Sequence, residues 1–118
     1  MTTAATMADT MEALIRESGG GTSFVQLERC IGEPALGNME LSIDRNVVIW
    51  AGVSPAFCEA VNIMKAGQRV SMRPSVPLVY FADGKVLTYP LARRVPRGGY
   101  KAPRWVPTVW WPTARVPS

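Results

Sequence analysis

One stretch decides the predicted fold: SPAFCEAVNIMKAGQRV, residues 54–70 of this 118-residue chain. Ser54 can cap a helix with its side chain, and Pro55 is favoured at the first helical position, where no N–H is needed. Gly67 then ends the helix. The apolar side chains that share one face at helical spacing are Phe57, Ala60, Val61 and Met64. The pattern therefore predicts an amphipathic helix with one packed side and one exposed side.

The residues after this helix include two β-prone runs joined by a turn signal. Val76–Phe81 is an apolar run, and Lys85–Tyr89 is a second β-prone run. Asp83-Gly84 separates the two runs and suits a tight turn. The pattern predicts a β-hairpin within residues 76–91.

Two further helices are predicted nearer the N-terminus. Apolar residues at helical spacing line one face of residues 7–15, and Gly19-Gly20-Gly21 ends that helix. Ser23–Ile31 forms a shorter helix that opens with a capping-box spacing. Val47–Ala51 is β-prone and predicts a buried strand, with a less regular strand at Met39–Ile43 before it.

The order helix, short strand, helix and third helix leading into a hairpin resembles the winged helix–turn–helix arrangement. The likeness is strongest where residues 54–70 run through a Gly and a basic residue into the β-arms of residues 76–91. It implies an α+β fold with a three-helix domain and a C-terminal hairpin over residues 1–91. Two features depart from it: the link between the second and third helices is long, and the third helix carries few basic residues.

Residues 92–118 are predicted to form an extended Pro- and Trp-rich tail outside that domain. Prolines recur there at positions 96, 103, 107, 112 and 117, with Gly98-Gly99 between them. This spacing excludes regular helix and favours polyproline-like structure.

The charges divide unevenly along the chain. Residues 1–60 hold three basic and eight acidic residues, a net charge of −5, whereas residues 61–118 hold ten basic residues and one acidic residue, a net charge of +9. A basic half of this kind indicates nucleic acid, an anionic membrane surface or an acidic protein patch as the partner. The alternative is that the folded chain interleaves the two halves and neutralises itself.

Cations near the predicted hairpin form the first candidate site. A hairpin that rests on a phosphate backbone would use them, since phosphate contacts position a module without reading sequence. An Asn on the third helix can also pair with an adenine edge. The residues predicted to contact nucleic acid are Asn62, Lys65, Arg69, Arg73, Lys85, Arg93 and Arg94. The alternative for these side chains is a solvated surface.

Aromatic and basic residues alternate in the predicted tail and form the second candidate site. Aromatic rings beside cations can stack on unpaired bases while the cations follow the phosphate backbone. The residues concerned are Tyr100, Lys101, Arg104, Trp105, Trp110 and Trp111. The alternative is that the rings fasten the tail to its own domain or to a second subunit, because exposed Trp rings are costly in water.

Several chemistries are disfavoured by the residues that the chain lacks. It has no His, the commonest general base and metal ligand, and only Cys30 and Cys58 among thiols. Gly19-Gly20-Gly21 lacks the Lys of a phosphate-binding loop. We therefore expect no enzyme, no metal and no cofactor. The absence of a signal-peptide pattern and of a long apolar run predicts a soluble cytoplasmic protein without membrane contact.

Two functions are compatible with these features. The first is a small DNA-binding winged-helix regulator of transcription, which binds double-stranded DNA through the third helix and the hairpin. The second is a protein-interaction or assembly module, which forms a homodimer or binds another protein through the Trp-rich tail.

Overall fold

The computed structural model describes residues 3–92, 94 and 96–115. These residues form four α-helices and two three-stranded sheets, a mixed α+β fold. In chain order the elements are α1 (Ala4–Ser18), β1 (Thr22–Ser23), α2 (Phe24–Ile31), a 3-10 turn (Glu33–Ala35), β2 (Leu36–Asp44), β3 (Val47–Val53), α3 (Pro55–Gly67), β4 (Val70–Pro74), α4 (Leu78–Asp83), β5 (Arg104–Trp105), β6 (Thr108–Pro112) and a second 3-10 turn (Thr113–Arg115).

Helices α2 and α3 begin at side chains that satisfy their first N–H groups. Ser23 Oγ accepts from Gln26 N at 3.2 Å, and Gln26 Oε1 accepts from Ser23 N at 3.0 Å, which completes the predicted capping box. Ser54 Oγ accepts from Phe57 N at 3.1 Å. Helix α3 ends where Gln68 takes up a left-handed backbone with φ of 58°. The helix predicted from residue 54 is confirmed.

The two sheets are completed by the last strands of the chain. The first sheet has the order β1-β6-β4 and is antiparallel, with Ser23 opposite Val109 and Ser71 opposite Trp111. The second has the order β2-β3-β5, in which β2 and β3 are antiparallel and β5 runs parallel to β3. Strands β5 and β6 therefore pair with strands from the first three-quarters of the chain.

An aromatic cluster occupies the core between the helices and the two sheets. The Phe24 ring stacks on Trp50 at a centroid distance of 6.3 Å and meets Trp110 edge-on at 6.0 Å. Trp105 meets the Tyr80 ring edge-on at 5.2 Å. Such offset and edge-on pairs add to the large apolar area that each ring buries. The core thus depends on rings contributed by distant parts of the chain.

The hairpin predicted for residues 76–91 is wrong. Leu78–Asp83 forms helix α4, and Gly84 ends it in a left-handed conformation, with φ of 87°. A short apolar run is compatible with either helix or strand, so Val76–Phe81 did not distinguish the two. Strand β4 pairs instead with β6, which follows it after residues 75–107. The Asp83-Gly84 pair is therefore the end of a helix.

The extended tail predicted for residues 92–118 is also wrong over much of its length. Its residues 104–112 contain β5 and β6, which lie in the two sheets of the predicted domain. Trp105 is 2% exposed and Trp110 is 0% exposed. The Cα radius of gyration is 13.6 Å, close to the roughly 13.5 Å expected for one globular domain of this length. Strands from both sides of residues 91/92 therefore share the same two sheets.

Helix length bears on the question of membrane insertion. The longest helix that the structure describes, α1, has 15 residues. No helix in the described part of the chain is long and apolar enough to cross a membrane.

Candidate anion-binding surfaces

Ion pairing between the acidic and basic halves is limited. Within the described ranges, salt bridges join only Arg69 to Glu12, at 3.2 Å, and Lys85 to Glu28, at 2.8 Å. Both join a carboxylate of the acidic half to a cation of the basic half. The other described basic side chains have no carboxylate within salt-bridge distance, so the folded chain retains cationic surface.

Five exposed cations lie on the turn between β2 and β3 and on the segment that packs against this turn. The side chains all belong to exposed residues: Arg45, Arg94, Arg97, Lys101 and Arg104. We call this group the loop surface, because three of its members lie on the loop between α4 and β5 and a fourth, Arg104, begins β5. Arg45 lies in the turn itself, and the nearby carboxylate of Asp44 accepts the backbone N–H of Arg45 at 2.7 Å.

Tyr100 holds that loop against the turn. Its backbone N–H donates to the Arg45 carbonyl at 3.0 Å, and Asn46 Nδ2 donates to the Tyr100 carbonyl at 2.9 Å. The Tyr100 hydroxyl donates to the Arg94 carbonyl within the loop. The Arg104 guanidinium lies 5.3 Å from the centre of the Tyr100 ring, a cation–π contact. Tyr100 thus positions cations and has one ring face occupied.

Gly99 permits the close approach of loop and turn. A Cβ at this position would overlap the backbone carbonyl of Arg45, and the φ of Gly99 is 84°. Both the space and the left-handed backbone therefore require Gly. The Gly98-Gly99 pair is part of the structure that brings Arg45 to the loop cations.

A second group of cations lines an open cavity of about 600 Å³. Its lining residues are Arg16, Arg69, Pro112, Thr113, Ala114 and Arg115. We call it the three-arginine cavity. An adjacent cavity of about 430 Å³ is lined by Lys65 and also includes Thr113. The two cavities therefore share Thr113 as a common wall.

The structure separates the residues predicted to contact nucleic acid. Asn62 and Lys65 are exposed on α3, and Arg69 pairs with Glu12 just before β4. Arg73 is exposed on β4, beside a small apolar slot. Arg94 is on the loop surface, whereas Arg93 lies outside the described residues.

Lys85 has a structural role that its sequence context did not reveal. Its Nζ is 2.8 Å from Glu28 Oε2 and 5.9 Å from the centre of the Trp50 ring. Glu28 is buried and also accepts from Trp50 Nε1. Because a buried carboxylate needs a partner, Lys85 is engaged with the core.

The predicted tail residues divide into two groups. Tyr100, Lys101 and Arg104 lie together at the loop surface. Trp105 and Trp110 are buried, so their rings are not presented for stacking on unpaired bases. The two rings instead pack in the core of the same domain, as the alternative interpretation of this segment expected.

Trp111 is half-buried and covers the glycine joint after α1. A Cβ on Gly20 would overlap the Trp111 ring, so this close contact requires Gly. Most of the Trp111 ring is therefore engaged with its own domain.

Some residues of the two surfaces were not singled out from the sequence. Arg45 belongs to the acidic half of the sequence, and no residue near it in the chain indicates the loop that reaches it. Arg16 and Arg115 are far apart in sequence and meet only at the three-arginine cavity. Arg97 was recognised only as one of several tail cations.

Titratable groups elsewhere have shifted pKa values with structural causes. Burial raises the pKa of Tyr80, whose hydroxyl lies in the core, and burial also raises the pKa of the Cys58 thiol. A hydrogen bond to Glu40 raises the pKa of Tyr89. Among the residues that the structure describes, no three His, Cys, Asp or Glu side chains are grouped so as to hold a metal ion.

Comparisons with protein-family models, with curated proteins and with solved structures find no match for this chain.

Proposed function

We propose that this protein binds nucleic acid, with double-stranded DNA favoured, and that the loop surface contacts the phosphate backbone. The observation that carries the proposal is that five exposed cations lie on one turn and on the segment packed against it, none of them paired with a described carboxylate within 4.0 Å. Lys and Arg side chains that neutralise phosphates release condensed counterions, which is the main source of sequence-independent affinity for DNA.

The placement of the aromatic rings favours a duplex over a single strand. Proteins that bind single strands without sequence preference stack successive bases on exposed rings. Trp105 and Trp110 are buried, and one face of Tyr100 meets Arg104. Phosphate contacts, which are independent of base stacking, are therefore the mode that this surface supports.

The winged-helix resemblance belongs to the proposal in a revised form. Strand β1 lies between α1 and α2, and β4 follows α3, as the resemblance requires. The long connection between β4 and β6, which carries most of the loop surface, would then act as the wing. Helix α3 would approach a groove with Asn62 and Lys65, and the protein would act as a small regulator of transcription.

A salt-titrated binding assay tests the proposal. The loop triple variant replaces Arg94, Arg97 and Lys101 with Gln. Each phosphate contact contributes about 0.9 to the slope of log K against log salt concentration. We therefore expect the affinity of the wild-type protein for duplex DNA to fall steeply as the salt concentration rises. The magnitude of the slope should be smaller by roughly 2 to 3 in the variant.

A matched variant controls for net charge. It replaces Lys65, Arg69 and Arg73 with Gln, which removes the same number of charges from α3, β4 and the link between them. We expect this variant to lose less of the salt slope than the loop triple variant. Absence of duplex binding at low salt, or an unchanged slope in the loop triple variant, would refute the proposal.

Helix α4 favours a second candidate, a protein-interaction function. Leu78 is 71% exposed and Phe81 is 64% exposed, and these residues are neighbours at helical spacing. Adjacent exposed apolar side chains are typical of contact surfaces. Sedimentation of the wild type and of a Leu78→Ser, Phe81→Ser variant tests self-association. A wild type that stays monomeric at high concentration would refute self-assembly through α4.

A further inference from the structure

The three-arginine cavity is lined by arginines from three separate parts of the chain. Arg16 is in the last turn of α1, Arg69 immediately precedes β4, and Arg115 ends the second 3-10 turn. All three line the same open cavity of about 600 Å³. A guanidinium presents planar donors that match the oxygens of a phosphate.

Hydrogen bonds fix the turn that carries Arg115 beside Arg69. Thr113 N donates to the Arg69 carbonyl at 2.9 Å, and Thr113 Oγ1 donates to the Gln68 carbonyl at 2.7 Å. The hydroxyl of Ser71 lies 2.9 Å from the same Thr113 Oγ1. The backbone around the cavity is thereby organised before any ligand binds, which lowers the entropic cost of binding.

The backbone of Gln68, the residue before Arg69, is in an uncommon conformation. Its φ of 58° lies in the left-handed region, which is uncommon for a residue other than Gly. Its carbonyl is the acceptor for Thr113 Oγ1. The left-handed Gln68 therefore turns the chain from α3 to Arg69, which immediately precedes β4. Thr113 holds this turn through its hydrogen bonds to the carbonyls of Gln68 and Arg69.

The charges of the cavity are not balanced by described carboxylates. Glu12 Oε1 lies 3.2 Å from Arg69 Nε, and no other described carboxylate is within 4.0 Å of the three guanidinium groups. The C-terminal end of α1 favours a nearby cation, which accounts for Arg16. Glu12 accounts for Arg69, but neither contact accounts for Arg115 at the same cavity, since like charges repel.

We propose that the three-arginine cavity binds a phosphate group that carries two negative charges. The group would belong to a small phosphorylated molecule or to the terminal phosphate of a nucleic-acid strand. A dianion relieves the repulsion among the cations and accepts several charge-assisted hydrogen bonds at once. The site is distinct from the loop surface, and it does not depend on duplex binding.

Titration of the full chain with inorganic phosphate tests the site directly. We expect saturable shifts in the NMR signals of the Arg16, Arg69 and Arg115 side-chain N–H groups. The corresponding signals of Arg94 and Arg97, on the loop surface, should move little. No saturable shift, or equal shifts at both surfaces, would overturn the proposal.

A pair of charge-matched variants measures the contribution of the cavity. Arg16→Gln with Arg115→Gln should weaken phosphate binding by roughly 10- to 100-fold, because charge-assisted hydrogen bonds are lost. Arg94→Gln with Arg97→Gln removes the same charge and should leave phosphate affinity nearly unchanged. Equal weakening in both variants would show a general charge effect and overturn the site.

Oligonucleotides distinguish the two sources of the phosphate group. Binding of a short single strand with a 5′-phosphate is compared with binding of the same strand with a 5′-hydroxyl. Tighter binding of the phosphorylated strand, abolished by Arg16→Gln with Arg115→Gln, supports a strand end. Equal binding of the two strands beside saturable phosphate binding supports a small phosphorylated molecule. Failure to bind phosphate, with salt-dependent duplex binding retained, would overturn this site alone.

Discussion

Replacing Tyr80 with Phe removes one hydroxyl from the centre of the protein. The Tyr80 ring is fully buried, and its hydroxyl accepts from Phe24 N at 3.1 Å and donates to the Thr108 carbonyl at 2.5 Å. It therefore links the first turn of α2 to strand β6 through α4. The ring of Phe retains the packing against Trp50 and Trp105, so the substitution isolates the two hydrogen bonds.

The expected loss of stability follows from the two buried groups that lose their partner, Phe24 N and the Thr108 carbonyl. A buried donor or acceptor without a partner costs about 1–3 kcal/mol. Phe24 N is at the start of a helix, where no intrahelical carbonyl is available to accept it. We expect the free energy of unfolding to fall by about 2–3 kcal/mol, which lowers the Tm by roughly 8–12 °C for a chain of this length.

Urea denaturation followed by circular dichroism measures this loss, with Tyr89→Phe as the matched control. Tyr89 donates to Glu40 at an exposed position, so removal of its hydroxyl should leave the free energy of unfolding nearly unchanged. Equal stability of Tyr80→Phe and the wild type would refute the role assigned to the Tyr80 hydroxyl. So would an equal loss in the two variants.

The same residue predicts a pH dependence. Burial raises the pKa of Tyr80 above its ordinary value of 10.0, because the phenolate is disfavoured in the core. The folded state therefore holds this proton more tightly than the unfolded state, and the contribution of Tyr80 to stability is complete below pH 10. It is lost as the pH rises above 10, since the unfolded chain then releases the proton. Alkaline unfolding curves should show a smaller pH dependence for Tyr80→Phe than for the wild type.

Two further substitutions probe contacts that position the sheets. Lys85→Met leaves the buried Glu28 carboxylate without its cation. We expect urea denaturation to show a free energy of unfolding lower by about 1–3 kcal/mol, a moderate loss because Lys85 is partly exposed. Unchanged stability would contradict this role. Gly20→Ala places a Cβ in the Trp111 ring at a φ of 120° and should cost at least about 2 kcal/mol in thermal unfolding. Gly67→Ala is the control for Gly20→Ala, because open space surrounds Gly67 and Ala is the better helix former by about 1 kcal/mol. Similar effects of the two substitutions would contradict the close contact between Gly20 and the Trp111 ring.

The prediction of α3 succeeded because its signals are local. Ser54 and Pro55 act on the backbone within one turn of their own positions, whereas the helix ends at the left-handed Gln68, one residue after the Gly67 that predicted its end. The apolar residues of the helix repeat with the helical period. The observed bounds, Pro55–Gly67, lie within a residue of the predicted ones.

The prediction of a hairpin failed because the deciding contacts are remote. Val76–Phe81 contains too few residues for its periodicity to distinguish helix from strand. The partners of the Tyr80 hydroxyl are Phe24 and Thr108, which are 56 and 28 residues away in the chain. No short window of sequence contains these contacts.

The loop surface was predicted in part for a similar reason. Arg94, Lys101 and Arg104 were identified as cations of the C-terminal segment. Arg45 joins them only because Gly99 and Tyr100 pack against the turn between β2 and β3. That contact joins two halves of opposite net charge, so a count of charge along the chain assigned Arg45 to the wrong side.

The sequence by itself determined the first three helices, strand β3 and the excess of positive charge after residue 60. Caps, helical periodicity and charge are properties of single residues and their near neighbours. Tertiary structure alone decided that Thr108–Pro112 is the central strand of a sheet and that Trp105 and Trp110 belong to the core. A strand in that place needs partners from distant parts of the chain, and a ring is buried only when other elements close around it. The same long-range pairing leaves Arg94, Arg97, Lys101 and Arg104 exposed at the surface.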